Sequence, residues 1–120
     1  MYGLKTDIDL SILNGRELSQ IAISLYQAIF RFDLDVAISV ESTFVYFNGE
    51  HEWTWRHEEN SCFIAARTVA LLGSKIESFE RNTDGTLALT FSNGHRLTML
   101  DDSKQFESYD ITWPGHNVVV

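Results

Sequence analysis

The sequence predicts an α+β fold of mostly antiparallel β-hairpins, with one main helix at about residues 61–72 packed on the sheet. Three observations support this prediction. Apolar residues alternate with a spacing of two over much of the chain, Asp-Gly and Asn-Gly pairs separate alternating runs, and only residues 60–73 combine helical spacing with helix end signals. At 120 residues, a single domain covering 1–120 is expected.

The segment 18–47 is long enough for a helix but predicts strands. The runs AIFRF (28–32) and VAISV (36–40) place apolar residues at every second position and are rich in β-branched and aromatic side chains. Between these runs, the short carboxylates of Asp33 and Asp35 can accept hydrogen bonds from nearby backbone N–H groups. A turn is therefore expected there.

The helix prediction rests on NSCFIAARTVALLG, residues 60–73. Asn60 or Ser61 can cap the first turn, and Gly73 can end the helix with a positive φ. The stripe expected to face the sheet consists of small and apolar residues: Cys62, Ala65, Ala66, Val69 and Leu72. This pattern predicts that Cys62 is an inert core thiol rather than a nucleophile.

The segment around the tryptophans predicts a strand with Trp53 and Trp55 on one face and Glu52 on the other. His51 and His57, with Glu50, Glu52, Glu58 and Glu59 nearby, offer nitrogen and oxygen ligands for a divalent metal ion. Their spacing matches no established metal motif, and an exposed strand rich in His and Glu is the simpler explanation of the pattern.

Strands are also expected on both sides of the turns that follow the helix. Asp84-Gly85 and Asn93-Gly94 join SKIESFE, TLALTF and HRLTML into hairpins, and QFESYDITW and NVVV complete the chain. Residues 28–40 align without a gap with residues 87–99. Duplication or two unrelated amphipathic hairpins would each produce this likeness, and both predict two similar antiparallel units.

Charge and cysteine content limit the function classes. Seventeen acids against nine bases give a formal charge of −8, which disfavours nucleic acid and anionic lipid and favours basic partners. One cysteine excludes an internal disulfide, the first residues lack a signal-peptide pattern, and no apolar run approaches the ~20 residues of a membrane span. A cytoplasmic protein without membrane contact is expected.

No catalytic motif is present, so neither enzymatic activity nor a cofactor is expected. The sequence contains no HExxH and no nucleophile elbow. Asp101 and Asp102 fit a turn in which a carboxylate binds backbone N–H groups. Glu107 and Asp110 are the better candidates for display at a surface.

A resemblance adds a functional expectation. The segments ALLGSKIESFE and GTLALTFSNGHRLTMLDDSKQFESYDITWPGHNVVV resemble a family of small uncharacterised bacterial proteins, and the segment NGRELSQIAISLYQAIFRFD is similar too. The matching positions include Leu71, Leu72, Gly73, Gly85, Leu87, Leu89, Phe91, Asn93, Gly94, Leu97, Asp101, Asp102, Ser103, Phe106, Glu107 and Ser108. The resemblance implies an immunity protein that neutralises a bacterial toxin domain, as in contact-dependent inhibition and polymorphic toxin systems.

The leading hypothesis is thus a monomeric or homodimeric immunity protein that binds a basic toxin domain, such as a nuclease, through an acidic surface. An exposed edge strand formed by NVVV is one variant of this binding mode. The alternatives are a small-molecule or metal-binding domain that uses His51, His57 and nearby carboxylates, and a homo-oligomeric structural subunit. The residues expected at the partner surface are Glu50, Glu52, Trp53, Glu58, Glu59, Glu107, Asp110 and Trp113.

Overall fold

The computed structural model describes residues 8–57, 62–103 and 107–120 and contains ten strands within these ranges. In chain order they are β1 (Leu18–Ile23), β2 (Ala28–Phe32), β3 (Ala37–Val40), β4 (Thr43–Phe47), β5 (Glu52–Arg56), β6 (Ile76–Arg81), β7 (Leu87–Phe91), β8 (Arg96–Leu100), β9 (Tyr109–Trp113) and β10 (His116–Val119). Sheet A has the order β1-β2-β3-β9-β10, and sheet B has the order β5-β4-β8-β7-β6. All pairings are antiparallel. The predicted α+β class with mostly antiparallel hairpins is confirmed.

The main helix lies where the sequence predicted it but is shorter and changes type, and a separate 3₁₀ turn occurs at Ser11–Leu13. Helix α1 (Cys62–Arg67) continues as a 3₁₀ segment (Thr68–Leu71), and Gly73 follows with a φ of +86°. Helix α1 packs against β1 and β5. The suggested caps, Asn60 and Ser61, lie outside the described residues.

The predicted core-facing stripe of this helix is wrong at four of its five positions. Cys62, Ala66, Val69 and Leu72 are exposed. The buried residues are Ala65, Thr68 and Leu71. Because a 3₁₀ helix has three residues per turn, positions three apart share one side, and the alignment shifts away from the α-helical stripe. The prediction that Cys62 belongs to the core is therefore corrected as well.

The core lies between the inner faces of the two sheets. Phe30 of β2 meets Phe44 of β4 edge to face with centroids 5.4 Å apart, and Phe32 stacks near Phe91 of β7 at 6.4 Å. The alternation read from the sequence holds, since the apolar residues of β7 and β8 at every second position are fully buried. Most large rings are also internal, and Trp55 is 2% exposed.

The two sheets share one plan. Strands β1, β2 and β3 form a meander that the hairpin β9-β10 completes, while β6, β7 and β8 form a meander that the hairpin β4-β5 completes. Each half of the chain therefore gives three strands to one sheet and two to the other. The aligned hairpins also share their register, because Ala28 faces Val40 and Leu87 faces Met99.

Backbone hydrogen bonds follow the same pseudo-twofold relation. The meanders meet at an antiparallel bridge between Glu17 and Lys75. Around this bridge, the bond from Gly15 N–H to Ile76 C=O mirrors the bond from Gly73 N–H to Leu18 C=O, and both measure 2.8 Å. Irregular register occurs at matching places in the first pair of strands of each meander. The predicted pair of similar antiparallel units is thus confirmed.

One turn departs from this symmetry in its chemistry. In the β7-β8 turn Asn93-Gly94, only the glycine has a positive φ, whereas both matching positions of the β2-β3 turn, Leu34 and Asp35, have positive φ, of 55° and 59°. Leu34 is also 64% exposed. A bulky residue at positive φ raises the energy of the folded state, and here little burial offsets that cost.

We therefore expect Leu34→Asn to increase the free energy of unfolding by roughly 1 kcal/mol, because Asn tolerates the left-handed region. Urea unfolding monitored by tryptophan fluorescence would measure the change. Leu34→Ala is the control, since alanine also removes the exposed side chain but keeps the left-handed strain. Equal stability of the Asn and Ala variants would show that the backbone at this turn carries no strain.

Candidate functional site

The chain crosses between the sheets at two places, and these crossings meet. One crossing is Glu41-Ser42, between β3 and β4, and the other leaves β8 at Asp101 and returns at β9. The Asp102 carboxylate accepts hydrogen bonds from the hydroxyls of Ser42 and Thr43, the latter at 2.7 Å. The Asp102 carboxylate therefore takes part in hydrogen bonds between the two crossings.

Asp101 is held in the same place by a different partner. Ser108, which is fully buried, donates its hydroxyl to Asp101 at 2.8 Å and accepts from the backbone N–H of Ser103 at 3.1 Å. The sequence suggested that the aspartates bind backbone of the following turn. In the structure, both carboxylates accept from side-chain hydroxyls, and the bonds of Asp102 to Ser42 and Thr43 connect the two crossings.

Next to these crossings lies an acidic cluster, defined here as Glu41, Glu107 and Asp110. Burial raises the pKa of Glu41 above its usual value, repulsion by Glu107 and then Asp110 adds to the shift, and His57 opposes it. Burial also raises the pKa of Asp110, with repulsion by Glu107 next, while hydrogen bonds from Ser39 oppose the shift. The three carboxylates thus destabilise one another when all are ionised.

Strand pairing brings this cluster together. Asp110 lies opposite Ser39 where β9 pairs with β3, on the side of the strand away from the buried Tyr109 and Ile111. One step beyond β3, the backbone N–H of Glu41 donates to Ser108 C=O at 3.0 Å. Glu41 is therefore placed beside residues nearly 70 positions away in the sequence.

Two of the other acids expected at the partner surface, Glu50 and Glu52, do not join this cluster. Glu50 and Glu52 are exposed at the start of β5, whereas the end of β5 lies near the crossing, because Arg56 faces Thr43. Arg56 follows Glu52 by four residue steps along the strand, which corresponds to roughly 13 Å. Glu58 and Glu59 lie outside the described residues.

The two tryptophans proposed as anchors are only partly buried and have internal contacts. Trp53 stacks near Tyr46 with centroids 5.7 Å apart, and the Arg67 guanidinium lies 4.6 Å from the Trp53 ring. Trp113 stacks on His116 at 5.0 Å, beyond the other end of β9 from Asp110. Neither ring therefore lies beside the acidic cluster.

The structure does not bring the two candidate histidine ligands together. His51 and His57 flank β5 at opposite ends, about 20 Å apart along an extended strand. No group of three or more His, Cys, Asp or Glu side chains could hold a metal ion among the residues that the structure describes. Shallow depressions of about 350 and 240 Å³ lie on the outer faces of the sheets, and neither histidine lines them.

The fold and the acidic cluster define a small α+β protein of two five-stranded sheets that exchange hairpins, with carboxylates grouped beside a crossing between the sheets. The chain belongs to the Family of unknown function (DUF6188), whose model matches residues 10–120. No curated protein matches the chain, and no solved structure matches it. Within the described ranges, no helix is long and apolar enough to cross a membrane.

The raised pKa values predict a pH dependence of stability with a definite sign. Because the fold raises the pKa of Glu41, its contribution to stability is fully present below the usual value of 4.5 and is lost as the pH rises through the raised value. Since the side chain is partly solvated, Glu41→Gln should stabilise the protein at neutral pH by only about 0.5 kcal/mol. Urea unfolding at neutral pH and at a pH below 4.5 would measure both the gain and its disappearance.

The matched control for this prediction is Glu77→Gln, which removes one acid from an exposed position on β6. A gain at neutral pH that is equal in both variants would reflect net charge alone. That result would contradict a local origin in the acidic cluster.

Proposed function

We propose that the protein is an immunity protein that binds a bacterial toxin domain with a basic surface and blocks it stoichiometrically. The observation that carries this proposal is the acidic cluster, in which Glu41 and Asp110 have raised pKa values because they are partly buried beside other carboxylates. The charge of −8 and the resemblance of the sequence to immunity proteins agree with it.

A basic partner would change the energetics of this cluster. A Lys or Arg side chain placed between Glu41, Glu107 and Asp110 converts their repulsion into attraction, so binding lowers the cost that the free protein bears. Asp110 lies on the paired strand β9 and Glu41 on the short crossing between β3 and β4, so little ordering of these two residues is needed on binding. The long-range field of the charge of −8 would also speed association.

The experiment that tests the function is competition between bacterial strains. Deleting the gene from the bacterium that carries it should make the cells sensitive to inhibition by their own parent in mixed culture, and a plasmid copy should restore growth. Equal growth of the deletion strain and its parent, under conditions in which the parent makes the protein, would overturn the proposal.

The same assay tests the surface. A plasmid copy with Glu41→Gln, Glu107→Gln and Asp110→Asn should fail to protect, although removal of repulsion should leave the protein at least as stable. The control copy carries Glu17→Gln, Glu77→Gln and Glu80→Gln, which change the net charge equally at exposed positions elsewhere. Protection by the first copy that equals protection by the second would exclude the acidic cluster as the binding surface.

A further inference from the structure

The four edges of the two sheets differ in how they are protected from pairing with other chains. Helix α1 packs against the edge strands β1 and β5. Edge strand β6 contains the charged residues Glu77, Glu80 and Arg81. Edge strand β10 contains no Asp, Glu, Lys or Arg, and within the described part of the chain it pairs only with β9. Charges and covering elements are the usual protection of sheet edges, and β10 has neither among these residues.

The register identifies the backbone groups that this edge presents. The N–H of Val120 donates to Tyr109 C=O at 2.9 Å, so this is a hydrogen-bonded position of the β9-β10 ladder. In an antiparallel ladder such positions alternate, which makes Val118 the next one. The N–H and C=O groups of Asn117 and Val119 therefore point away from β9 and are oriented to pair with an added strand.

The side chains beside the edge favour a particular kind of strand. Asp110 lies opposite Val119, and Glu107 and Glu41 lie at the same end of the sheet. Strands in a sheet are about 4.8 Å apart, so an added strand would lie about 10 Å from β9, and a Lys or Arg opposite Val119 could reach across it toward Asp110. Val118 and Val119 are partly exposed and suit apolar side chains next to the basic ones.

A second copy of the chain is a poorer occupant. It carries the same charge of −8 and the same acids beside its own β10, so pairing of two copies brings like charges to both sides of the junction. A basic strand meets the opposite charge at the same place. We infer that β10 binds an extended, basic segment of a partner protein by β-strand addition. The inference rests on the proposed function only for the identity of the partner, as a toxin domain.

The binding chemistry can be tested without the toxin. The probe is a fluorescently labelled, acetylated and amidated seven-residue peptide that alternates lysine and valine, and the reference peptide alternates glutamate and valine. Fluorescence anisotropy with the full chain should give at least about tenfold tighter binding of the lysine peptide. Equal binding of the two peptides, or no binding of either at low salt, would overturn the inference.

Val119→Pro tests the edge itself. Proline removes an N–H that points away from β9, leaves the Val120 bond intact and is tolerated on edge strands. We expect it to weaken binding of the lysine peptide about tenfold or more, whereas Val119→Thr should retain it. If the proline variant does not fold, Val119→Lys keeps the backbone and repels the basic peptide, so it should show the same loss. Unchanged affinity in the folded variant would overturn the inference.

Two further results separate the possible occupants. Asp110→Asn should weaken binding of the lysine peptide severalfold and make this binding less dependent on salt concentration. A parent protein that sediments as a dimer and a Val119→Pro variant that sediments as a monomer would instead assign the edge to a second copy. If the protein binds the peptide but the deletion strain has no competition defect, the edge site is retained and the immunity function is excluded. If the deletion strain has the defect but the protein does not bind the peptide, only the edge site is excluded.

Discussion

Gly85→Ala is expected to lower the free energy of unfolding by about 3 kcal/mol, the largest effect predicted for a single methyl group in this protein. Gly85 has a φ of +90°, and a Cβ built on it would lie 2.6 Å from Asp101 Oδ2 and 2.7 Å from Asp101 Cβ. Strain from the positive φ therefore combines with a contact that is too short for real atoms. Asp101 cannot move away freely, because it also accepts a hydrogen bond from the buried Ser108.

The same glycine has a second role that a displaced backbone would disturb. Its carbonyl accepts a hydrogen bond from the Tyr109 hydroxyl at 2.6 Å, and burial raises the pKa of that hydroxyl well above its usual value. Loss of this bond would leave a polar group of a buried ring without its partner. Several elements of the crossing therefore depend on the absence of a side chain at Gly85.

Gly94→Ala is the matched control, because Gly94 has a φ of +86° but nothing within 4 Å of a built Cβ. Its free energy of unfolding should fall by only about 1 kcal/mol, because the variant has the strain of the positive φ without a close contact. Urea unfolding of both variants and the parent would separate strain from contact. Equal losses would show that Asp101 moves without cost and that the crossing is not tightly packed around Gly85.

Local turn chemistry explains why much of the fold could be predicted. Asp84-Gly85 and Asn93-Gly94 specify tight turns by residue type, and alternation on both sides specifies which side chains face inward. The shared register of residues 28–40 and 87–99 followed from the same local pattern. The exchange of hairpins between sheets was not visible, because it depends on pairings between β3 and β9 and between β4 and β8 that leave no local signal.

The candidate site was only partly predictable for the same reason. Asp110 and Glu107 were selected because they stand in an acidic stretch, whereas Glu41 belongs to the site only through the β3-β9 pairing. Asp101 and Asp102 were expected to bind backbone of the turn that follows β8, and their hydroxyl partners Ser108, Ser42 and Thr43 are brought there by the fold. The helix stripe failed because a change from α to 3₁₀ geometry has no clear residue signature.

Asp102→Ala is expected to lower the free energy of unfolding by about 2 kcal/mol, although Asp102 itself is an exposed residue. Its carboxylate accepts from the hydroxyls of Ser42 and Thr43, which are only 6% and 2% exposed. Removing the acceptor leaves two nearly buried donors without it, and water has little access to replace it. A surface substitution should therefore behave like a core polar substitution.

A double-mutant cycle would show whether the hydroxyls carry this loss. Thr43→Val keeps the shape of the side chain and removes its hydroxyl, so the loss from Asp102→Ala should be about 1 kcal/mol smaller in the Thr43→Val background. Thr54→Val on β5, which has no hydrogen bond to Asp102, is the control background and should leave the loss unchanged within about 0.5 kcal/mol. Additivity of Asp102→Ala and Thr43→Val would mean that the Thr43 hydroxyl does not contribute to the loss. The loss would then have to come from the Ser42 hydroxyl, which is the other side chain that donates to Asp102.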